Sequence, residues 1–103
     1  MGPEARIEQT VCKFAKEHGF SVEKVNVVNA RGRPDRRFSQ KGHYFFIEFK
    51  APGEKPTELQ KFRHDEMREQ GETVYVVDSA ITGRATIRAE LMKIRHFEAM
   101  NVA

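Results

Sequence analysis

The sequence predicts an α/β or α+β fold in which a mixed central sheet is flanked by helices. Helical and strand patterns are interleaved along the chain, in the order α-β-β-β-α-β-α. The central segment HYFFIEFK, residues 43–50, is apolar on both faces through most of its length, which is typical of a strand buried on both sides. The 103 residues suit one modest core, so residues 1–103 are expected to form a single domain.

The first elements follow from spacing and from turn residues. Apolar residues recur at helical spacing from Ile7 to Ala15 and predict a helix over residues 4–18, which Gly19 would end. The valine-rich residues 23–28 predict a strand, and NARGRPD after them predicts a turn by its Gly and Pro content.

A hairpin is expected to pair the next two strands. RRFSQ, residues 36–40, predicts the second strand, and Lys41-Gly42 predicts the corner that joins it to residues 43–50. Side chains alternate across a strand, so two sets of residues separate onto opposite faces. Phe45, Ile47 and Phe49 share one face, and the other face carries Tyr44, Phe46, Glu48 and Lys50.

The second half contains two helices and a strand. Thr57, with Gln60 three residues later, forms a capping box and predicts a helix that runs to about Gln70. TVYVV, residues 73–77, predicts a short buried strand, which is expected to run parallel to its neighbour because it follows a helical crossover. Apolar residues at helical spacing predict a last helix over residues 84–99.

Composition excludes several classes of protein. The longest apolar run is far too short to span a bilayer, and the first ten residues lack the apolar core of a secretory signal. The single Cys12 cannot form an internal disulfide, and the chain has no zinc pattern. We therefore expect a cytoplasmic protein without a membrane partner.

The charge indicates a polyanionic partner. The net charge is +3, and the basic excess lies in the first half, where five basic residues fall within eleven positions: Arg31, Arg33, Arg36, Arg37 and Lys41. Nucleic acid is the commonest partner of such a cluster, although a solvated basic loop explains the composition equally well.

The buried strand ends on two charges, Glu48 and Lys50. They could be a partly exposed ion pair at the strand end or part of a catalytic site, and the triplet alone favours the ion pair. Asp35 changes that balance, because the hairpin makes it a cross-strand neighbour of Glu48. Two adjacent carboxylates repel unless a cation lies between them, and Mg²⁺ prefers carboxylate oxygens. Such an ion can polarise a phosphodiester and activate water, while Lys50 would orient that water or offset transition-state charge.

Two helices offer further candidates. Glu8 lies at the rim of the first helix's apolar stripe and could supply a third carboxylate, or it could be an ordinary exposed acid near a helix N-terminus. Gln60 lies at the rim of the later helix's stripe beside Met67. Its capping role is the simpler explanation, and the two roles could coexist.

These motifs resemble the PD-(D/E)xK nuclease superfamily, whose core is restriction-endonuclease-like. Within that superfamily the chain resembles the VRR-NUC branch, particularly its short stand-alone bacterial and phage members. The resemblance lies mainly in two segments, Gly32-Arg33-Pro34-Asp35-Arg36 and Ile47-Glu48-Phe49-Lys50-Ala51-Pro52-Gly53. It also includes Glu8-Gln9, Glu58-Leu59-Gln60 and the valines after Gly71. The resemblance covers residues 4–80.

The resemblance implies metal-dependent hydrolysis of DNA. Glu8, Asp35, Glu48 and the carbonyl of Phe49 would bind Mg²⁺, for which Mn²⁺ would substitute, with Lys50 as the catalytic lysine and Gln60 nearby. It further implies a homodimer that cuts branched DNA as a Holliday-junction resolvase, inside a bacterial or phage-infected cell. A twofold dimer would suit a four-way junction, which needs two symmetric cuts.

Three other hypotheses stay open beside this structure-selective endonuclease. The chain could be a flap- or nick-directed nuclease, or a binding module that keeps the fold without catalysis. It could also be a protein-interaction domain whose Glu-x-Lys is incidental. In the nuclease hypothesis, six basic residues near the site in sequence would contact phosphates: Arg33, Arg36, Arg37, Lys41, Lys55 and Lys61.

Overall fold

The computed structural model describes residues 1–25 and 31–101. Its elements follow the predicted order: α1 (Pro3–Glu17), β1 (Ser21–Lys24), β2 (Arg36–Gln40), β3 (His43–Phe49), α2 (Glu58–Glu69), β4 (Val74–Val77) and α3 (Ala80–Asn101). The α/β prediction is confirmed. None of the helices in these two ranges combines the length and the apolar character that a bilayer crossing requires.

Within the described ranges, one mixed sheet has the strand order β1-β2-β3-β4. The pairs β1–β2 and β2–β3 are antiparallel, and β4 runs parallel to β3, as the helical crossover predicts. The hairpin between β2 and β3 turns at Lys41 and Gly42, whose φ angles are 51° and 81°. Two successive positive φ angles are typical of the tight hairpin turn that matches strand twist. This turn fixes the register Gln40↔His43 through Arg36↔Ile47.

The sheet separates two apolar layers. On one face, Phe45, Ile47 and Phe49 pack with buried residues of α1 and α3. On the other face, Phe46 packs with Met67 of α2 and with Val74. Strand β3 is therefore buried on both sides, and the predicted assignment of its two faces is confirmed. Residues at its C-terminal end are shielded from water by both layers, which matters for the charges placed there.

A cluster of polar side chains surrounds Glu90, away from the charged C-terminal end of β3. Glu90 of α3 is almost fully buried, and its carboxylate accepts hydrogen bonds from His43 at 2.6 Å, Lys93 at 2.7 Å and the hydroxyl of Tyr75. Burial favours a higher pKa for Glu90, but these donors outweigh it and lower that pKa. The cluster joins α3 to β3 and β4.

The structure corrects two predicted boundaries. Helix α3 begins at Ala80 and not at residue 84, because Ser79 caps it through a 3.1 Å hydrogen bond from the amide of Thr82. Gly83 lies inside this helix, where it allows α1 to approach closely; a Cβ there would lie 2.3 Å from Cγ2 of Val11. The first strand begins two residues earlier than predicted: it occupies Ser21–Lys24, and Val25 is not part of it. Residues 26–28 of the predicted strand and residues 29 and 30 of the predicted turn lie outside the described residues.

Candidate active site

The hairpin brings Asp35 and Glu48 together. The paired register ends at Arg36↔Ile47, and one residue beyond it the carboxyl groups of Asp35 and Glu48 lie close enough to act on each other's pKa, as expected of cross-strand neighbours. Asp35 is fixed there because its Oδ2 accepts a 2.8 Å hydrogen bond from the amide of Phe49. The side chain of Phe49 points into the apolar core instead, so this residue meets the site only through its backbone. The role of its carbonyl as a metal ligand stays a prediction.

The pKa values of both carboxyl groups are raised above their usual range. Burial and then the adjacent charge of Asp35 raise the pKa of Glu48 to about 8. Burial also raises the pKa of Asp35, although the amide of Phe49 opposes the shift. At neutral pH two ionised carboxylates at this place are therefore unfavourable unless a positive charge joins them.

Lys50 supplies one positive charge beside the pair. Its side chain is buried, and its Nζ lies 3.8 Å from Oε2 of Glu48 and 3.9 Å from Oε1 of Glu54. The turn after β3 is held by the hydrogen bond of the Glu54 amide to the carbonyl of Ala51 and by Asp78, which accepts from the amide of Gly53. The strand end and this turn therefore limit the positions that the lysine can adopt.

Helix α2 places Gln60 against Glu48. The capping box is present. Oε1 of Gln60 accepts a hydrogen bond from the backbone amide of Thr57 at 2.9 Å, and the backbone amide of Gln60 donates to Oγ1 of Thr57 at 3.2 Å. The remaining end of the same side chain, Nε2, donates to Oε2 of Glu48 at 3.0 Å. Gln60 thus combines the cap and the site contact, the two roles that the sequence left open.

Helix α1 brings Glu8 to the edge of the site, but it faces a different partner. Oε2 of Glu8 accepts a 2.7 Å bond from Nε of Arg36, with both side chains about one quarter exposed. The negative charge of Glu8 also contributes to the raised pKa of Asp35, after burial. Across residues 1–25 and 31–101, no three acidic, histidine or cysteine side chains form a ready-made metal cage. Glu8 would have to turn towards Asp35 and Glu48 to become a third ligand.

Three residues near the site were missed by the sequence analysis. Glu54 lies beside Lys50, and the charge of Glu4 contributes to the raised pKa of Glu48. His64 is buried, with Nε2 at 4.0 Å from Oε1 of Glu48. Each had a usable signal: Glu4 precedes Glu8 by one helical turn, Glu54 follows Lys50 by four residues, and His64 follows Gln60 by one turn.

The predicted DNA contacts are spread more widely than the sequence indicates. Arg33, Lys55 and Lys61 are exposed, whereas Arg37 stacks 4.8 Å above the ring of Tyr44. Lys41 is at the far end of the hairpin, about 20 Å of extended chain from Asp35, and it pairs with Glu98 at 2.7 Å. The hairpin therefore carries Lys41 away from the site that it neighbours in sequence.

The donor set fits a hard divalent cation. Asp35 and Glu48 offer carboxylate oxygens on neighbouring strands, and burial raises the pKa of both carboxyl groups although Lys50 opposes the shift. Magnesium prefers a few carboxylates and keeps several waters, which suits two fixed acids with a third on a movable side chain. The chemistry of these side chains therefore favours a metal held by Asp35 and Glu48.

A mixed sheet flanked by helices brings Asp35 beside Glu48 and Lys50 at the C-terminal end of the buried strand β3, and the comparisons with known proteins give the class to which this fold belongs. A solved structure described as "VRR_NUC domain" superposes with a TM-score of 0.79, at 26% sequence identity over 85% of this chain and 97% of that chain. The protein described as "Putative nuclease p44" from Acyrthosiphon pisum secondary endosymbiont phage 1 is 36% identical over 77 residues, which are 74% of this chain and 83% of the relative. No family model matches the chain.

These similarities confirm the resemblance of the sequence motifs to the VRR-NUC branch. The chain belongs to the VRR-NUC family and is a nuclease.

Proposed function

We propose that this nuclease is a Mg²⁺-dependent DNA endonuclease that selects branched DNA and acts as a homodimeric Holliday-junction resolvase. The observation that carries the proposal is the contact of Asp35 with Glu48 beside Lys50. Membership of the VRR-NUC family makes phosphodiester hydrolysis the chemistry that such a site would perform.

Asp35 and Glu48 would hold the cation, with the carbonyl of Phe49 and the carboxylate of Glu8 as further ligands. When bound, the divalent ion supplies a Lewis acid for the scissile phosphate and lowers the pKa of a coordinated water. The protein contributes the geometry. The amide of Phe49 fixes Asp35, and Gln60 fixes Glu48, so neither carboxylate has to be ordered when the substrate arrives.

Lys50 would act on the phosphate and on the attacking water. Its Nζ is held near Glu48 in a place with little access to solvent, where a positive charge acts more strongly than in water. There it would orient the water and offset the negative charge that develops on the phosphorane-like transition state. A neutral side chain at this position would keep the ligands and lose that stabilisation.

Glu8 and Arg36 would change partners when DNA and metal bind. In their present pairing each neutralises the other, and both lie at the edge of the site. Rotation of Glu8 towards the cation would leave Arg36 free to contact a phosphate. Arg33, Arg37, Lys55 and Lys61 would add contacts that fix the DNA backbone without reading its bases. Lys41 would contact DNA only along a path that extends beyond the site.

The experiment that tests the proposal is a cleavage panel over linear, flapped, nicked and four-way DNA, with Mg²⁺ and with Mn²⁺. We expect preferential paired cuts in the four-way junction, no cutting in EDTA, and a dimer by sedimentation. Preference for flaps or nicks would replace the resolvase assignment with the flap- or nick-directed alternative. DNA binding without cleavage under any divalent ion would favour the binding-module hypothesis.

A matched pair of lysine variants separates catalysis from charge. Lys50→Ala is expected to lower cleavage by about 10²–10³-fold, a loss of the size found when one group that stabilises transition-state charge is removed, while junction binding survives. Lys13→Ala removes the same charge from the exposed face of α1 and should cut like the wild type. Equal activity of the two variants would contradict the catalytic assignment of Lys50.

A further inference from the structure

Two polar atoms of the buried layer next to the site have no partner within the described residues. They are Oε1 of Glu48 and Nε2 of His64, and 4.0 Å separates them. Both residues are nearly excluded from solvent, with relative exposures of 3% and 1%. Buried polar atoms are almost always paired in native proteins, so two adjacent orphans indicate a contact between them.

Helix geometry explains why this contact is available. His64 follows Gln60 by four residues on α2, so both side chains leave the same face of the helix. Gln60 already donates to Oε2 of Glu48, while Oε1 of the same carboxylate is turned towards His64. A hydrogen bond requires about 2.7–3.2 Å, so an approach of roughly 1 Å completes it.

The chemistry of the two groups determines the direction of the bond. When Glu48 is ionised, as a metal ligand is, its carboxylate only accepts hydrogen bonds, so the imidazole then has to carry its proton on Nε2. A neutral imidazole in this tautomer would hold the carboxylate in place without cancelling the negative charge that a cation requires.

We propose that His64 is a positioning residue, whose Nε2–H holds Oε1 of Glu48 while Gln60 holds Oε2, so that the carboxylate is presented to the metal in one orientation. This inference rests on the proposed metal-dependent function, in which Glu48 is a ligand. Residues that orient metal ligands typically change metal affinity or activity about 10–100-fold when they are replaced.

The test compares variants by Mn²⁺ affinity, measured by calorimetry on the intact chain without DNA. His64→Leu replaces the imidazole with an apolar side chain of similar size, which fills the buried space but has no donor. It should weaken Mn²⁺ binding by about tenfold. His64→Gln can place an amide N–H near the position of Nε2 and should recover most of that loss. Val74→Ala removes apolar contacts from the same buried layer and serves as the control, with lower thermal stability but wild-type affinity.

The inference is overturned if His64→Leu binds Mn²⁺ like the wild type, or if His64→Gln is as weak as His64→Leu. The ¹⁵N spectrum of the imidazole, recorded without metal and well above pH 8 so that Glu48 is ionised, tests the contact. A proton on Nε2 whose resonance moves in Glu48→Gln supports the contact, whereas a proton on Nδ1 alone refutes it. A wild type that neither binds Mn²⁺ nor cuts DNA would refute the proposed function, and the same spectrum would still decide the contact.

Discussion

Replacement of Gln60 separates what the side chain does for its helix from what it does for the site. Gln60→Ala removes the acceptor for the amide of Thr57 and the donor to Glu48. Thr57→Ala removes the other half of the capping box and leaves the bond to Glu48 in place. The difference between the two variants therefore isolates the contact with the carboxylate.

The interactions that each variant loses set the expected change in the free energy of unfolding. Loss of a helix cap lowers the free energy of unfolding by about 1 kcal/mol. Loss of a hydrogen bond to a buried charged group lowers it by roughly a further 1.5–3 kcal/mol. We expect Thr57→Ala to lower the free energy of unfolding by about 1 kcal/mol and Gln60→Ala to lower it by about 3 kcal/mol at neutral pH, both measured by urea denaturation with Mg²⁺ present.

Cleavage should divide the variants more sharply than stability. Thr57→Ala is expected to cut four-way DNA at nearly the wild-type rate, because Gln60 still donates to Glu48. Gln60→Ala should lose about tenfold or more in activity and should require more Mg²⁺ for half-maximal rate. If both variants lose activity in proportion to their stability, Gln60 acts only through the helix and its bond to Glu48 has no role in cleavage.

Three other predictions concern the fold and its charges. Without divalent ions, the unfolding temperature should fall as pH rises from about 4.5 towards 8, because folded Glu48 keeps its proton up to its raised pKa, and the fall should flatten in Glu48→Gln. Gly83→Ala should lower the free energy of unfolding, measured by urea denaturation, by about 1–2 kcal/mol, because overpacking against Val11 exceeds the gain in helix propensity. Adding Val11→Ala to this variant should restore stability. Tyr75→Phe should cost about 2 kcal/mol in the same assay, because buried Glu90 loses one of its donors; an unchanged midpoint would mean that this bond is not formed.

Local patterns predicted the frame of the fold. The hairpin, the capping box and the parallel fourth strand follow from residues that are close in sequence, and all three are confirmed. The start of α3 was wrong because Gly83 is unfavourable in an isolated helix. Its reason for being there is the close approach of Val11 from a distant part of the chain. Packing between helices overrides propensity, and local spacing contains no information about it.

The contact of Asp35 with Glu48 was predictable because a two-residue turn fixes the register of a hairpin. Contacts between separate elements were harder to predict. Glu8 was placed at the correct edge of its helix, but its ion pair with Arg36 depends on how α1 lies across the sheet. The sequence places His64 one turn after Gln60, but a histidine on an apolar helix face is equally typical of a core residue, and that spacing alone does not separate the two cases. Its distance from Glu48 does.

The site therefore combines a rigid part with an adjustable one. Asp35 and Glu48 are held by a backbone amide and by a capped helix, so their positions are determined when the chain folds. Glu8 and Arg36 are held mainly by each other, in a partly exposed ion pair of a kind that contributes no more than about 1 kcal/mol. A cation that attracts Glu8 and a phosphate that attracts Arg36 can together replace that pair at little cost. Because each of these events frees the partner that the other requires, metal and DNA are expected to assist each other's binding at this edge of the site.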